Sequence, residues 1–145
     1  MTNHETLMRR AMHMAATART HARPNPWVGA VVVCVDGSVY EGATQPPGGP
    51  HAEIVAMRKA ATNGWRLDNH TLVVTLEPCA MCAGAIAQAR ISKVIFGAWD
   101  EKAGAVGSVW DVLRDPRAIH RVEVESGVLQ KECAALLSEF FKNYR

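Results

Sequence analysis

Residues 71–98 read TLVVTLEPCAMCAGAIAQARISKVIFGA, and the order of strand, helix and strand in this stretch decides the fold. Thr71–Leu76 is a short apolar run that predicts a buried strand. An alanine-rich helix is predicted from Cys79 to Arg90, and a second apolar strand follows at Lys93–Ala98. Two strands joined by a helix of this length indicate a right-handed crossover within one layered sheet.

The residues before this unit predict a helix, a hairpin and a second helix. Apolar side chains recur every three or four residues over Glu5–Ala22, as in an amphipathic helix. A β-branched run, Trp27–Val35, ends in Asp36-Gly37, a turn signal ahead of a second strand at Ser38–Gly42. The composition of His51–Thr62 favours a helix that begins at His51.

Beyond residue 98 the chain predicts an irregular segment, a strand and a final helix. Asp100–Ser108 is rich in glycine, Arg121–Glu125 alternates like a strand, and Leu129–Phe141 carries helical apolar spacing. Together these elements predict one domain over residues 1–145. Its fold class is α/β, with three α/β/α layers around a mixed five-stranded sheet whose first two strands are antiparallel.

Composition and charge exclude some classes of protein and leave others open. Hydrophobic residues make up 48% of the chain and charged residues 21%, values typical of a folded, soluble domain. No apolar run is long enough to predict a membrane span. The four cysteines, two of them in a CxxC, fit metal binding in a reducing compartment, so we expect a cytoplasmic protein. A net charge of +2 neither requires nor excludes a nucleic-acid partner.

Two motifs at predicted helix starts carry ligands for a metal ion: His51 and Glu53 in one, Cys79 and Cys82 in the other. Residues two apart on a helix point in nearly opposite directions, but at the first turn both reach a point beyond the helix end. Catalytic zinc takes three protein ligands and leaves its fourth position to water. The sequence therefore predicts Zn²⁺ held by His51, Cys79 and Cys82.

Glu53 is the carboxylate that this ligand set leaves over. Zinc lowers the pKa of a bound water towards about 7, and a neighbouring carboxylate can then move protons. The positive ends of two helices would also favour the thiolates. Glu53 is therefore the predicted catalytic residue.

Other interpretations of the cysteines remain open at this point. The CxxC fits a redox pair, and Cys34 or Cys133 could complete a closed structural zinc site. A redox pair has no need of the HxE motif, and both other cysteines occupy apolar positions typical of small buried residues. We therefore favour the open zinc site.

These motifs resemble the H-x-E and P-C-x-x-C signature of the zinc-dependent nucleobase deaminases, in which the Glu is a general acid/base. The tRNA-specific adenosine deaminases in particular are similar to residues 76–85, 97–108, 120–123, 127–129 and 132–141. The resemblance implies a cytidine deaminase-like fold and a homodimer with one zinc per subunit. It also implies hydrolytic deamination of adenosine to inosine at the wobble position of a tRNA anticodon loop.

The resemblance further implies a set of substrate-binding residues around the two motifs. Thr44 stands where the tRNA enzymes usually place an Asn that contacts ribose, and the backbone of Ala52 is a candidate to hold the base edge. The whole predicted set is Asn25, Val28, Thr44, Ala52, Pro78 and Asp100.

Part of the sequence departs from the tRNA enzymes and supports a second hypothesis. Residues 23–31 and 48–53 look more like the riboflavin-pathway aminopyrimidine deaminases, and the loop of residues 45–50 is short. A free aminopyrimidine, nucleobase or nucleoside is therefore the alternative substrate. A third hypothesis is a non-catalytic, zinc-stabilised RNA-binding module.

Two groups of residues bear on the choice of substrate. Arg114, Arg117 and Arg121 could bind phosphates, or they could form a solvated basic face. Phe140 and Phe141 could stack on unpaired bases, although core packing is the expected role for at least one of them. Both groups favour RNA over a small molecule, because a small-molecule enzyme has no use for them.

Overall fold

A computed structural model describes residues 3–62 and 64–143. Within these ranges the chain forms four α-helices and five strands, with one 3₁₀ turn at Ala18–Thr20 after the first helix. In chain order they are α1 (His4–Thr17), β1 (Gly29–Val33), β2 (Val39–Ala43), α2 (Ala52–Ala60), β3 (Thr71–Leu76), α3 (Ala80–Gln88), β4 (Lys93–Ala98), β5 (Glu123–Glu125) and α4 (Gln130–Asn143).

The five strands form one mixed sheet in the order β2-β1-β3-β4-β5. Strand β1 runs antiparallel to both of its neighbours, whereas β3, β4 and β5 are parallel to one another. The predicted mixed sheet with an antiparallel first pair is confirmed.

Alternate side chains of the central strands enter two separate cores. Val31, Val73 and Ile95 pack with α1 and α4 on one face of the sheet. Val32 and Phe96, on the other face, pack with the alanine-rich helices α2 and α3. This alternation follows from the two-residue period of a strand, and it confirms the predicted three-layer α/β/α arrangement.

Several predicted boundaries were wrong by a few residues. Helix α1 ends at Thr17 rather than Ala22, and β1 begins at Gly29 rather than at Trp27, which packs edge-on against Phe140 at 5.7 Å between ring centroids. Strand β5 lacks Arg121. Contacts between residues that are distant in sequence set these boundaries, and a local sequence pattern cannot reveal such contacts.

Glycine allows α2 to approach the hairpin closely. A Cβ atom at Gly42 in β2 would lie 2.3 Å from the carbonyl oxygen of Ala52, in the first turn of α2. That distance is impossible for a real side chain, so the absence of one lets the helix start rest directly on the strand.

The sheet brings the segment that begins with Glu77 and carries Cys79 to the same edge as the segment that carries Asp100. Leu76 and Ala98 are partners in the parallel ladder and are the last residues of β3 and β4. The segments that follow these two strands therefore emerge side by side, as they do at the carboxyl edge of parallel sheets. In the described ranges, no helix has both the length and the apolar character that crossing a bilayer requires.

Candidate active site

The side chains of His51, Cys79 and Cys82 converge where α2 and α3 begin. His51 Nδ1 lies 3.6 Å from Cys79 Sγ and 3.4 Å from Cys82 Sγ, and all three ligand atoms lie within 4.8 Å of one another. A tetrahedral zinc ion with ordinary bond lengths holds nitrogen and sulfur ligands about 3.5 Å apart. The donor set and its spacing therefore fit one zinc ion.

His51 and Cys79 are the N-cap residues of their helices, not the first helical residues that the sequence predicted. Both have extended backbone, with ψ of 160° and 175°, and neither side chain caps its own helix. Each side chain can therefore point past the helix end. This geometry lets ligands from two helices reach one ion while the free backbone N–H groups surround it.

A hydrogen bond between the two ligand thiols shifts their pKa values in opposite directions. The pKa of Cys79 is lowered to about 5, chiefly because its thiolate accepts a hydrogen bond from the Cys82 thiol. The same hydrogen bond, together with burial, raises the pKa of Cys82. Zinc binding requires both thiolates, so it releases the proton of the Cys82 thiol.

Glu53 lies in the first turn of α2 with only 4% of its surface exposed. Burial raises the pKa of its carboxyl group above the ordinary value for glutamate. A carboxyl group whose pKa is shifted towards neutrality can both take up and release a proton.

A cleft of about 380 Å³ opens beside these residues, a size typical of small-ligand sites. His51, Glu53 and Cys79 lie in its wall. So do five of the six residues predicted to bind substrate, namely Asn25, Val28, Thr44, Ala52 and Asp100.

Pro78 is the predicted substrate-binding residue that does not line the cleft. Its carbonyl oxygen accepts a hydrogen bond of 2.8 Å from the N–H of Ala105. Pro78 therefore contacts the segment that forms one wall of the cleft, rather than the cleft itself.

The hydroxyl group of Thr44 is already engaged within the protein. It donates to the carbonyl of Pro26 and accepts from the N–H of Val28, each at 2.9 Å. Because its one proton is directed to Pro26, Thr44 can offer a substrate only an acceptor. An Asn side chain would offer both a donor and an acceptor.

The sequence reasoning missed one buried carboxylate beside the site. Glu77 is 2% exposed and accepts hydrogen bonds from the N–H groups of Asp100, Val106 and Ser108. The available signal was its position between a buried strand and the Pro-Cys pair. Its partners lie 23 or more residues away, so no local pattern pointed to them.

Two arginines of the basic segment are paired with aspartates, and the third lies away from the cleft. Arg114 pairs with Asp111 at 3.1 Å, and Arg117 pairs with Asp115 at 2.9 Å. Arg121 precedes β5, at the amino edge of the parallel strands and thus opposite the cleft. These placements favour the solvated-face hypothesis.

The two phenylalanines of α4 have different environments. Phe140 is 4% exposed and packs against Trp27, whereas Phe141 is 42% exposed. Core packing, the role expected for at least one of the pair, is confirmed for Phe140.

The fold, the three-ligand site and the adjacent buried glutamate define a zinc-dependent deaminase, a hydrolase that acts on carbon–nitrogen bonds. The family model of the cytidine and deoxycytidylate deaminase zinc-binding region matches residues 1–98. The chain belongs to this family, and zinc is its cofactor.

Among sequence relatives, the chain is 40% identical to a tRNA-specific adenosine deaminase of Bacillus subtilis, over all of this chain and 92% of the relative. It is 53% identical to the enzyme of that name from Haemophilus influenzae over 97 residues, which are 66% of this chain and 56% of the relative.

Two solved structures resemble the chain to a similar degree. One comes from a study of A-to-I editing by tRNA:A34 deaminases, with 37% identity, a TM-score of 0.78, and coverage of 90% of this chain and 98% of the other. The second is a diaminohydroxyphosphoribosylaminopyrimidine deaminase/reductase of Thermotoga maritima, with 35% identity and a TM-score of 0.79. That match covers 97% of this chain and 41% of the Thermotoga chain.

The metal site generates a test by ligand substitution. We expect Cys82→Ser to abolish stoichiometric zinc binding, because a serine hydroxyl is a poor replacement for a thiolate ligand. Cys34→Ser is the matched control, since Cys34 lies outside the three-residue cluster. Zinc content of the purified, folded variants is measured by mass spectrometry. Full zinc content in Cys82→Ser would show that the ligand set is wrong.

Proposed function

We propose that this protein deaminates adenosine to inosine at the wobble position of a tRNA anticodon loop. The observation that carries the proposal is the 40% identity, over the whole chain, to a tRNA-specific adenosine deaminase. The open cleft beside the zinc ligands is the proposed binding site for the adenine base. A substrate of this kind also places the enzyme in the cytoplasm.

The zinc ligands and Glu53 divide the chemistry between them. His51, Cys79 and Cys82 hold the ion, which when bound supplies a Lewis acid that lowers the pKa of a water nucleophile. The Glu53 carboxylate receives the proton that the attacking water loses. It then gives a proton to the ring nitrogen beside the reacting carbon and assists the departure of ammonia.

The cleft residues hold the extruded base. Ala52 belongs to the first turn of α2, where backbone N–H groups have no partner within the helix and can donate to a substrate. Asn25 and Asp100 supply polar side chains, Val28 an apolar surface and Thr44 an acceptor. Pro78 acts indirectly through its contact with the wall segment. A cleft of this size admits one base, so the adenine must leave its stack or be unpaired.

A cation and an aromatic ring on the surface next to the cleft residue Ala103 in the chain support a polynucleotide substrate. Lys102 Nζ lies 5.6 Å from the centre of the exposed Phe141 ring. Lys102 adjoins Ala103, which lines the cleft. An exposed ring and an ammonium group in this arrangement suit base stacking and phosphate contact. We therefore place the RNA surface at these two residues rather than at the basic segment 114–121.

A free aminopyrimidine remains the second candidate substrate. The Thermotoga structure, whose name includes an aminopyrimidine deaminase, has a TM-score of 0.79 against this chain. The proton of the Thr44 hydroxyl is directed inward, so a ribose contact made by a donor at this position is not available. A non-catalytic RNA-binding module, the third hypothesis, gives no role to the buried Glu53.

A homodimer with one zinc per subunit completes the proposal. An apolar groove lies between α2 and α3, with Met57, Ala61, Ala85 and Ala89 in its wall and Trp65 at its side. Trp65 is 62% exposed. Exposed apolar grooves of this kind mark interaction surfaces, and a second copy of this chain is the occupant we propose.

A substrate panel tests the proposed reaction. We expect inosine to form in an anticodon stem-loop with an unpaired wobble adenosine, and no ammonia to be released from free cytosine, guanine or aminopyrimidines. Inosine is measured by mass spectrometry of digested RNA. Ammonia from an aminopyrimidine, with none from the stem-loop, would establish the second candidate instead.

The Glu53→Ala variant is the catalytic control for that panel. It should keep its zinc while deamination falls by about 10³-fold or more, because the proton shuttle is lost. Glu132→Ala, on an exposed surface of α4, should remain active. Activity that survives in a zinc-loaded Glu53→Ala would contradict the mechanism.

The proposed RNA surface is tested by two substitutions. Phe141→Ala should raise KM for the stem-loop by about tenfold, since one stacking contact is lost. Lys102→Ala should reduce the salt dependence of binding by about one phosphate contact. Lys131→Ala, at the far end of α4, is the control. If neutralising Arg114, Arg117 and Arg121 weakens binding instead, the basic segment is the RNA surface.

The proposed dimer is tested by light scattering on the eluting protein. We expect the native protein to elute as a dimer and Trp65→Glu to elute as a monomer, because a charge would then be buried in the groove. Val35→Glu, which changes a residue 67% exposed at the hairpin turn, should remain dimeric. A dimeric Trp65→Glu variant would place the interface elsewhere.

A further inference from the structure

We propose that Glu77 is a positioning residue for the deamination reaction, because its carboxylate fixes the segment 99–108 as one wall of the cleft. The inference rests on the proposed function for its substrate. Glu77 lies in the wall of the cleft, but both of its carboxylate oxygens accept hydrogen bonds from backbone N–H groups, so it acts through the residues whose backbone it holds.

The contacts of Glu77 span the whole segment. Its Oε1 accepts from the N–H of Asp100 at 3.0 Å, close to where the segment leaves β4. Its Oε2 accepts from Val106 at 2.9 Å and from Ser108 at 3.1 Å. A buried carboxylate needs several hydrogen bonds to offset its lost hydration, and these three backbone donors supply them. The carboxylate thus ties both ends of the wall to one point.

Two glycines shape the wall around this carboxylate. A Cβ atom at Gly104 would lie 2.2 Å from Glu77 Oε1 and 2.3 Å from Ser108 Oγ. Gly107 has φ of +130°, which allows the chain to turn so that the N–H groups on either side of it meet the same oxygen. The segment is therefore folded closely around Glu77.

The same wall is joined to the zinc half of the site. The N–H of Ala105 donates to the carbonyl of Pro78 at 2.8 Å, and Gly104 forms an antiparallel bridge with Cys79. Glu77, Pro78 and Cys79 are consecutive, so one short stretch of backbone holds both a zinc ligand and the wall. Residues 77–79 therefore fix the position of the zinc ligand Cys79 relative to the wall.

The wall carries groups that face the substrate. Asp100 and Ala103 both line the cleft, and Lys102 lies between them in the chain. Asp100 Oδ1 also accepts from the N–H groups of Lys102 and Ala103, at 3.1 and 3.2 Å. If the wall loosens, these groups lose their positions. His51 and Cys82 are held separately by α2 and α3, so the metal site should persist.

Glu77→Gln tests the inference, because the amide has nearly the same shape but must turn an NH₂ group towards at least one backbone donor. We expect KM for the stem-loop to rise by about tenfold and kcat to change by less than about threefold. Zinc content should stay at one per chain. Hydrogen exchange of the Asp100, Val106 and Ser108 amides should accelerate.

Two further variants sharpen the result. Gly104→Ala keeps the Glu77 carboxylate but places a methyl group 2.2 Å from its Oε1, so it should push the carboxylate and the wall apart and reproduce the rise in KM. Glu132→Gln removes an exposed carboxylate and should change neither KM nor exchange. An unchanged KM in Glu77→Gln, or loss of zinc together with activity, would overturn the positioning role. If the native enzyme is inactive on the stem-loop, the proposed function fails. Hydrogen exchange of the Asp100, Val106 and Ser108 amides still tests whether Glu77 holds the wall.

Discussion

His51 and Cys79 are the N-cap residues of two different helices. Their ligand atoms lie 3.6 Å apart only because both helix starts are held at one point. Helix α3 is held there by its connection to β3, and α2 by close contact with the hairpin. The free N–H groups of both first turns lie beside the zinc ligands and the cleft. Metal binding depends on this convergence, and so do the proton transfer and base recognition that we propose.

The elements that the sequence predicted well are those whose character is local. Thr71–Leu76 and Lys93–Ala98 have the predicted bounds because short apolar runs between turn signals leave little choice of boundary. The three zinc ligands were also predictable, since their residue types and spacing fit few other roles. The N-cap positions of His51 and Cys79 were not, because they depend on how two helices are docked.

The features that the sequence could not reveal depend on distant partners. Glu77 meets its donors only after the chain returns through α3 and β4, so its position between a buried strand and the Pro-Cys pair does not reveal them. Thr44 was predicted to bind substrate, but its hydroxyl group donates its proton to the carbonyl of Pro26, in the loop before β1. In each case tertiary contacts decided the role.

The close seating of α2 on the hairpin has a consequence for how this enzyme can change. Because the carbonyl oxygen of Ala52 lies directly against Gly42, the edge strand β2 fixes the position of the helix that carries Glu53. Residues at the rim of the cleft can vary and so alter which base is accepted. A methyl group at Gly42 would displace the start of this helix and with it Glu53, the residue that we propose as catalytic. The range of substrates can thus change more readily than the reaction chemistry.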